Sequence, residues 1–489
     1  MTSPIALSIV PTPPTVLFST QVCTNLFGRR TMRGSLTENP LLRALDAASW
    51  RPIHTKLTMA LGIAWLLDAF EVTIIGSILP TIAEQWDLSH LQQVSLVAIW
   101  LLGILVGAQG AGILADRFGR RRLFLLTLVF YATFTFLSAF SVNYAMLMAL
   151  RFLTAIGVGA EYSTINAAIS ECIPARYRGR ANAAVMSSWG VGGLLAATIG
   201  GAAISAFPAD TGWRVGFGIG AVMALTALFA RRALPESPRW LLRRGLPDEA
   251  QRVVRDLTGA SVESASISYV REHAGSIGSL LRRAPRQAAL GAALDFAEAA
   301  GYYGLFAFFT VLVAETAGIA PREVPVYYLW GSVGALVGGI AVAALMDHFS
   351  RALTVTTTYL LAAGSLVILA VATGAGSSGG VLWAFVLANA AATAAWVSAY
   401  PTFTELFPTP LRSTGIGFSV SVGRLGAALA SIGLVEVAAV FNLAAAFGLL
   451  AGVWVLGVVA MRLWVRSGVP DGAKVPLERL EPDLERRAA

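Results

Sequence analysis

The sequence predicts an all-α membrane protein in which twelve transmembrane helices form two parallel repeats of six. Three observations support this prediction. The chain of 489 residues is 56% hydrophobic and only 13% charged, with a mean hydropathy of +0.67, whereas a soluble fold needs a more polar surface. Apolar stretches long enough to cross a hydrocarbon core of about 30 Å as helices recur along the chain. Short motifs of the first half also recur in the second.

Twelve apolar stretches are separated by short loops, except for one long hydrophilic insert between the sixth and the seventh. Their predicted bounds are 57–82, 92–114, 123–141, 146–170, 182–206, 213–230, 288–316, 324–346, 353–373, 380–403, 413–438 and 441–465. The chain thus divides into an N-terminal segment, a first half, a central loop, a second half and a tail, at 1–56, 57–230, 231–287, 288–466 and 467–489. The central loop predicts one or two short amphipathic helices, basic enough to lie against anionic headgroups.

The basic residues indicate the topology. All but four of the 36 lysines and arginines lie in alternate loops; the exceptions are Arg151, Arg214, Arg322 and Arg424. By the positive-inside rule both termini are cytoplasmic, and we expect the protein in the cell membrane, inner or plasma. The net charge of +8 therefore reflects topology rather than nucleic-acid binding. The first 31 residues resemble no secretory signal, and a translational start at Met32 is an alternative to Met1.

Motifs of soluble catalysis are missing from the sequence. It contains no Walker loop, no paired-cysteine metal site and no G-x-S-x-G element, so neither ATP-driven work nor hydrolysis is indicated. We therefore expect no enzyme activity, no cofactor and no metal. The expected partners are a small-molecule substrate, a proton and the lipid bilayer, and the expected oligomeric state is a monomer.

Three motifs recur at nearly the same offset and at equivalent places in each half. They are D-R-F-G-R and D-H-F-S-R from Asp116 and Asp347, E-x-x-P-x-x-x-R from Glu171 and Glu405, and L-D-x-x-E from Leu67 and Leu294. Any one of these matches is weak evidence, but together they indicate a parallel repeat. Two such halves, related by an axis along the membrane normal, are the architecture of the major facilitator superfamily, with a site between the halves near the midplane.

Longer stretches carry a resemblance to that superfamily of transporters over about residues 41–466. They are GILADRFGRRRL at Gly112–Leu123, RFLTAIGVGAEY at Arg151–Tyr162, LPESPRWLL at Leu234–Leu242 and ELFPTPLRSTGIGFSVSVGRLGA at Glu405–Ala427. The branch that the chain resembles most contains sugar porters, organic-ion transporters, aromatic-acid:proton symporters and the synaptic-vesicle-protein-like group. The first helix of those relatives carries a D-G-F/Y-D/E motif, in which Ala69 replaces the glycine here.

The resemblance implies a conformational latch in the cytoplasmic loops that stabilises one access state. In its first copy, Gly112 permits a close helix approach and Gly119 a tight turn. The second copy is degraded, because His348 and Ser350 replace the arginine and the glycine. The predicted latch residues are Gly112, Asp116, Arg117, Gly119, Arg120, Asp347, Arg351, Glu171, Arg178, Glu405 and Arg412.

Charged residues inside the predicted spans are candidates for function, because each costs about 2.5 to 3.5 kcal/mol at the bilayer centre on insertion scales. They are Asp68, Glu71, Arg151, Glu161, Asp295, Glu298 and Arg424. The acids outnumber the arginines. Protonation removes part of this excess, and the sequence leaves open which of Asp295 and Glu298 is neutral.

Asp68 and Glu71 are three residues apart and share one face of the first helix. Mutual repulsion and desolvation make one of them able to carry a proton. The resemblance matches Glu71 to the first-helix acid of proton-coupled sugar porters, which faces the motif arginine, here Arg151. Protonation of Glu71 then releases Arg151 and lets the halves rock. A static ion pair between the two helices is the alternative.

Arg424 is the predicted substrate anchor. It lies about twelve residues into its helix, between Gly423 and Gly426, and an arginine there can bind a carboxylate bidentately. Related organic-anion transporters carry arginine at the matching position. Packing against Glu298 or Asp295 is the alternative. The other substrate-binding candidates are Glu161, Glu298, Asp295, Tyr302, Tyr303, Trp396 and Asn389, with Trp189 as a further hydrogen-bond donor.

The sequence therefore predicts a secondary active transporter that moves a small organic acid inward with a proton by alternating access. An aromatic acid is one candidate substrate. The excess of intramembrane acids keeps an organic-cation or drug/proton antiporter open as an alternative. A transporter-like membrane receptor, which binds a ligand without moving it, also stays open because the second latch motif is degraded.

Overall fold

The computed structural model describes residues 39–231, 234–260, 276–345, 348–407 and 411–466. Every regular element in these ranges is a helix. The first part of the chain forms α1 (Pro40–Ala47), α2 (Pro52–Trp86), α3 (His90–Phe118), α4 (Arg120–Ser138), α5 (Tyr144–Cys172), α6 (Arg178–Ala206) and α7 (Ala209–Arg231). Three shorter helices follow, namely α8 (Pro238–Arg243), α9 (Pro247–Thr258) and α10 (Ile277–Arg283).

The second part of the chain begins with α11 (Pro285–Phe308), which continues through a π-helical segment (Phe309–Val313) into α12 (Ala314–Thr316). The remaining helices are α13 (Val324–Leu345), α14 (Arg351–Gly374), α15 (Ser378–Leu406), α16 (Arg412–Val440) and α17 (Leu443–Arg466). By length and composition, twelve helical segments of the described chain are able to cross a membrane: α2 to α7, the continuous α11–α12 segment, and α13 to α17. The predicted all-helical class and the twelve spans are confirmed.

Several helices extend beyond their predicted bounds. The first membrane helix, α2, begins at Pro52 instead of residue 57, because proline is well suited to the first turn of a helix. The second continues to Phe118 instead of ending at residue 114. Hydropathy marks the part of a helix that lies in hydrocarbon, whereas the helix itself continues until a cap or a turn residue ends it.

Within each half, glycines bring the second and the fourth membrane helix close together. In the first half, α3 and α5 approach so closely that a Cβ at Gly107 has no room beside the carbonyl of Ile156. In the second half, Gly338 of α13 lies against the carbonyl of Ala390 of α15 in the same way. Both contacts join the second and fourth membrane helices of their half, as a parallel repeat requires.

The two halves contact each other along several helices. Gly193 of α6 packs against α13, and Gln109 of α3 donates a hydrogen bond to the Ser421 hydroxyl of α16. At the other end of α3, His90 Nε2 lies 2.7 Å from Glu315 Oε2 of α12. The space between the halves is therefore lined by helices of both.

Three short helices, α1, α8 and α9, pack together at the end of the bundle that carries the α3–α4 and α5–α6 connections, which we call the basic end. Their shared core consists of Leu41, Leu42, Leu241, Leu242, Ala250 and Val254. The apolar face of α9 is thus covered by α1 and α8. The contact of the basic central loop with anionic headgroups stays a prediction.

Candidate functional site

All seven charged side chains predicted inside the spans are buried in the bundle. They are Asp68, Glu71, Arg151, Glu161, Asp295, Glu298 and Arg424, each at most 3% exposed. A buried ion costs several kcal/mol of desolvation even after the protein relaxes. The partners of these side chains therefore indicate what each charge does.

Glu71 and Arg151 form an ion pair inside the first half. Arg151 Nη1 donates to Glu71 Oε2 at 2.8 Å, and Nη2 donates to the Glu71 carbonyl oxygen, also at 2.8 Å. The second carboxylate oxygen accepts a hydrogen bond of 3.0 Å from the Thr135 hydroxyl. The Arg151 guanidinium also lies over the Trp100 ring, 4.1 Å from its centroid. The structure brings Glu71 and Arg151 together as expected, and the proton-coupling role of the pair stays a prediction.

Arg424 lies between the two halves and is surrounded by aromatic rings. Its Cζ atom is 5.3 Å from the ring centroid of Tyr162, 5.2 Å from that of Tyr303 and 5.8 Å from that of Trp396. Tyr162 belongs to α5 of the first half, whereas the other two rings belong to α11 and α15 of the second. Cation–π contacts of this kind stabilise a desolvated guanidinium by about 2 kcal/mol.

The rings around Arg424 belong to a larger aromatic cluster, formed by Trp65, Tyr162, Trp189, Tyr302, Tyr303 and Trp396. Trp189 connects the halves within it, because its ring lies 5.2 Å from that of Trp396 and its Nε1 donates a 2.9 Å hydrogen bond to the Tyr302 hydroxyl. Trp65 lies 4.6 Å from Tyr162. The cluster offers flat apolar faces on several sides of one buried cation.

Asp295 and Glu298 lie on α11 beside Arg424. The Asp295 carboxylate packs against Gly423 so closely that no side chain fits there. Arg424 interacts electrostatically with both acids, but among the described residues no carboxylate oxygen lies within 4.0 Å of its guanidinium nitrogens. Arg424 Nε and Glu298 Oε2 are buried without a hydrogen-bond partner in the described part of the chain. The arginine is therefore near two acids without being paired to either.

The remaining candidate side chains have different surroundings. Asp68 is close enough to the hydroxyls of Tyr162 and Tyr303 to interact with them electrostatically, which places it at the aromatic cluster. Glu161 is fully buried next to Tyr162 along α5. Asn389 donates its amide to the Phe385 carbonyl of its own helix at 2.9 Å. That bond occupies one of its two donor hydrogens, and a role in substrate binding stays a prediction.

The first copy of the predicted latch has visible contacts at the basic end. Gly119 has a positive φ of 92°, and the neighbouring Arg120 amide donates to Glu236 Oε1 at 2.9 Å. Arg120 Nε lies 2.7 Å from Glu171 Oε2. Arg178 forms an ion pair with Asp46 of α1. It also donates a hydrogen bond to the Ile173 carbonyl at 3.0 Å. The sequence did not single out Glu236 or Asp46 for these contacts.

Most of the other predicted latch side chains lie outside the described part of the structure. This applies to the positions Gly112, Asp116, Arg117, Asp347, Glu405 and Arg412. Arg351 is the first residue of α14, whose N-terminus is capped by the Ser350 hydroxyl. The serine that replaces the motif glycine in the second copy thus caps a helix.

Comparison with known proteins agrees with this architecture. The sequence of residues 61–431 matches the family model described as Major Facilitator Superfamily. The chain belongs to this family. It is therefore a multi-pass membrane transporter and not an enzyme, as predicted. The matched range contains Asp68 and Glu71 of α2, the whole aromatic cluster and Arg424 of α16.

Among curated members of the superfamily, the chain is 30% identical over 394 residues to the niacin transporter NiaP of Acinetobacter baylyi, covering 78% of this chain and 86% of that protein. It is 28% identical over 407 residues to a probable 4-methylmuconolactone transporter of Cupriavidus pinatubonensis, covering 81% and 87%. The fold is similar to that of the proton:xylose symporter XylE of E. coli, with a TM-score of 0.71 at 19% identity, covering 88% and 99%.

Trp65 and Tyr162 line this site, although the sequence did not select either of them as a ligand contact. Both stand next to selected acids: Trp65 precedes Asp68 by three residues and so shares its helix face, and Tyr162 follows Glu161 directly. Their positions in the sequence relative to these acids were thus the signal from which Trp65 and Tyr162 could have been predicted at the site. A guanidinium with open donor positions among flat rings is able to bind a planar anion.

Proposed function

We propose that the protein is a secondary active transporter that takes up a small organic acid, preferably an aromatic one, together with a proton by alternating access. The observation that carries the proposal is the buried Arg424 guanidinium inside the aromatic cluster between the two halves. On the distribution of its basic residues, we place the protein in the cell membrane with both termini in the cytoplasm. We propose that it works as a monomer.

The substrate carboxylate is proposed to bind Arg424 bidentately. A buried cation needs an anionic partner to offset its desolvation, and in the described residues neither Asp295 nor Glu298 is within 4.0 Å of it. The ring of the substrate would then lie against Tyr303 and Trp396. The similarity to a niacin transporter supports this choice, because niacin is an aromatic carboxylic acid.

Glu71 and Arg151 are proposed as a proton-sensitive contact between α2 and α5. Protonation of Glu71 would remove the negative charge that Arg151 contacts through a hydrogen bond of 2.8 Å, while the bond from Arg151 to the Glu71 backbone carbonyl would remain. Breaking a buried pair from one side costs about 3 to 5 kcal/mol. A change of that size is enough to shift the balance between two access states. Asp68 lies on the same helix, beside the substrate site.

An organic-cation or drug/proton antiporter is the second candidate function. The specific observation in its favour is the number of buried acids around the aromatic cluster, where Asp68, Glu161, Asp295 and Glu298 outnumber Arg424. An aromatic cluster also suits a quaternary ammonium ion through cation–π contacts. The two functions differ in the charge of the substrate and in the direction of its coupling to the proton.

Transport by the full chain in proteoliposomes tests the proposal. With the outside more acidic than the inside, radiolabelled nicotinate should accumulate above the level of protein-free vesicles, and unlabelled benzoate should compete. Tetraethylammonium should not compete. Uptake of tetraethylammonium against an opposite proton gradient would favour the antiporter. Nicotinate binding without any nicotinate counterflow would favour the receptor.

A further inference from the structure

We propose that Asp295 and Glu298 form a proton-binding pair that competes with the substrate carboxylate for Arg424. This inference rests on the proposed transport of an organic acid. It adds the place where substrate and proton act on each other, which the Glu71–Arg151 contact does not supply.

The two acids have the geometry of an interacting pair. They are three residues apart on α11, share one face of that helix, and are 3% and 2% exposed. The Asp295 carboxylate is held against the backbone of α16 at Gly423, next to Arg424. Glu298 Oε2 is buried and, in the described part of the protein, accepts no hydrogen bond. It is an open position for a proton.

Arg424 is the cation that favours the ionised form of this pair and opposes the effect of burial. Among the described residues it is the only cation that acts on either carboxyl group. The other titratable groups that interact with the pair, among the described residues, are tyrosine hydroxyls: Tyr303 on α11, Tyr359 on α14 and Tyr400 on α15. The helix α17 packs against α11 through the uncharged Trp454. Two neighbouring carboxylates in a dry site cannot both stay ionised without a counter-charge.

Binding of a substrate anion therefore changes the protonation of the pair. When the substrate carboxylate binds the guanidinium of Arg424, it neutralises the positive charge that acts on the two acids. A proton from water then binds at Glu298 Oε2, and the occupied site contains the substrate anion plus one proton. When the substrate leaves, Arg424 interacts again with the pair and the proton is released. Substrate and proton are thus taken up and released together, as symport requires.

Glu71 lacks this direct connection to the substrate. Both of its carboxylate oxygens have partners inside the first half, from Thr135 and Arg151. Asp295 instead packs against the helix that carries Arg424, and Glu298 interacts with Arg424 electrostatically. In this scheme Glu71 acts on the movement of the halves, while Asp295 and Glu298 bind the proton that accompanies the substrate.

Proton uptake on ligand binding tests the inference with the unaltered protein. Benzoate is added to the purified full-length chain in weakly buffered detergent solution near neutral pH. Benzoate is a suitable probe because it has a single titratable group. Each bound benzoate should be accompanied by uptake of about one proton from the solution, because the pair loses one counter-charge. Benzoate binding without proton uptake would overturn the inference and leave the transport proposal intact.

Isosteric variants locate the proton. In proteoliposomes, Glu298→Gln and Asp295→Asn should retain nicotinate counterflow, whereas accumulation driven by a pH gradient should fall to the level of protein-free vesicles. Glu84→Gln, at an exposed acid near the far end of α2, should accumulate nicotinate like the unaltered chain. Full gradient-driven accumulation by both pair variants would contradict the inference. If the unaltered chain neither binds nor transports these acids, the proposed function fails instead.

Discussion

At the residue scale, the two buried arginines have different partners. Arg151 has a carboxylate, a backbone carbonyl and the Trp100 ring within contact distance. Arg424 lies over three rings without a carboxylate at ion-pair distance in the described chain. A buried charge without close pairing is costly. We therefore propose that Arg151 acts in the structure and movement of the first half, and that Arg424 acts in substrate binding.

Arg424→Lys tests the proposed bidentate contact. Lysine keeps the positive charge but loses the planar pair of donors, so the KM for nicotinate counterflow should rise about tenfold or more, as expected for a loss of about 1.5 to 3 kcal/mol. Arg214→Lys is the matched control. Arg214 donates to the carbonyls of Ala139 and Ser141 and lies away from the aromatic cluster. An unchanged KM in the Arg424 variant would contradict the contact.

Glu71→Gln tests the ion pair of the first half. The amide keeps the shape of the carboxylate but leaves Arg151 as a buried, unpaired charge, which should cost about 3 to 5 kcal/mol of stability. We expect a lower unfolding temperature in detergent and slower nicotinate counterflow. If uptake and counterflow both proceed at the normal rate, the pair is a static contact and has no part in the rocking of the halves.

At the element scale, hydropathy and the repeat were sufficient to predict twelve helices and their pairing into equivalent halves. The buried charges were predictable for the same reason, because a charge in an apolar helix is conspicuous. Aromatic residues are not conspicuous in such a helix. Whether Trp65 faces lipid or the site depends on the rotation of α2, which is set by close tertiary contacts such as that of Gly192 with the Leu66 carbonyl. Single-helix patterns do not contain that information.

Glycine contacts between helices provide a test of the duplicated packing. Gly107→Ala and Gly338→Ala each place a methyl group against a backbone carbonyl, and overpacking of this kind costs about 1 to 3 kcal/mol. Both variants should unfold at a lower temperature in detergent. Gly110→Ala on the same helix as Gly107 has open space around the added methyl group and should be neutral or stabilising. Equal stability of all three variants would contradict the packing.

The predicted latch is testable through Cys172. Burial raises the pKa of its thiol to about 12, so the thiol is protonated and slow to react with a maleimide near neutral pH. In a Cys23→Ser background, Arg120→Gln should speed the labelling, because it removes the 2.7 Å contact to Glu171 that joins α4 to α5. Loss of the Arg120 charge would by itself slow the labelling, because Arg120 lowers the pKa of this thiol. Slower or unchanged labelling would therefore show that the contact does not keep this end closed.

At the scale of the whole molecule, the repeat produced two acid pairs with different surroundings. In the first half, Asp68 lies at the aromatic cluster, whereas Glu71 forms an ion pair with Arg151. Of their counterparts, Asp295 lies against the helix of Arg424, and Glu298 interacts with Arg424 electrostatically. The same motif thus contributes to an internal contact in one half and to the space between the halves in the other.

The central claim is that the substrate carboxylate binds Arg424 between the two halves. An experimental structure of the full chain with 4-bromobenzoate tests it most directly, because the anomalous signal of bromine locates the ring. We expect the carboxylate at hydrogen-bond distance from the Arg424 guanidinium, with the bromine and the ring among Tyr162, Tyr303 and Trp396. The ligand bound elsewhere, such as in the depression of about 510 Å³ beside Thr81, Asp210 and Arg322, with Arg424 left unbound, would contradict the claim.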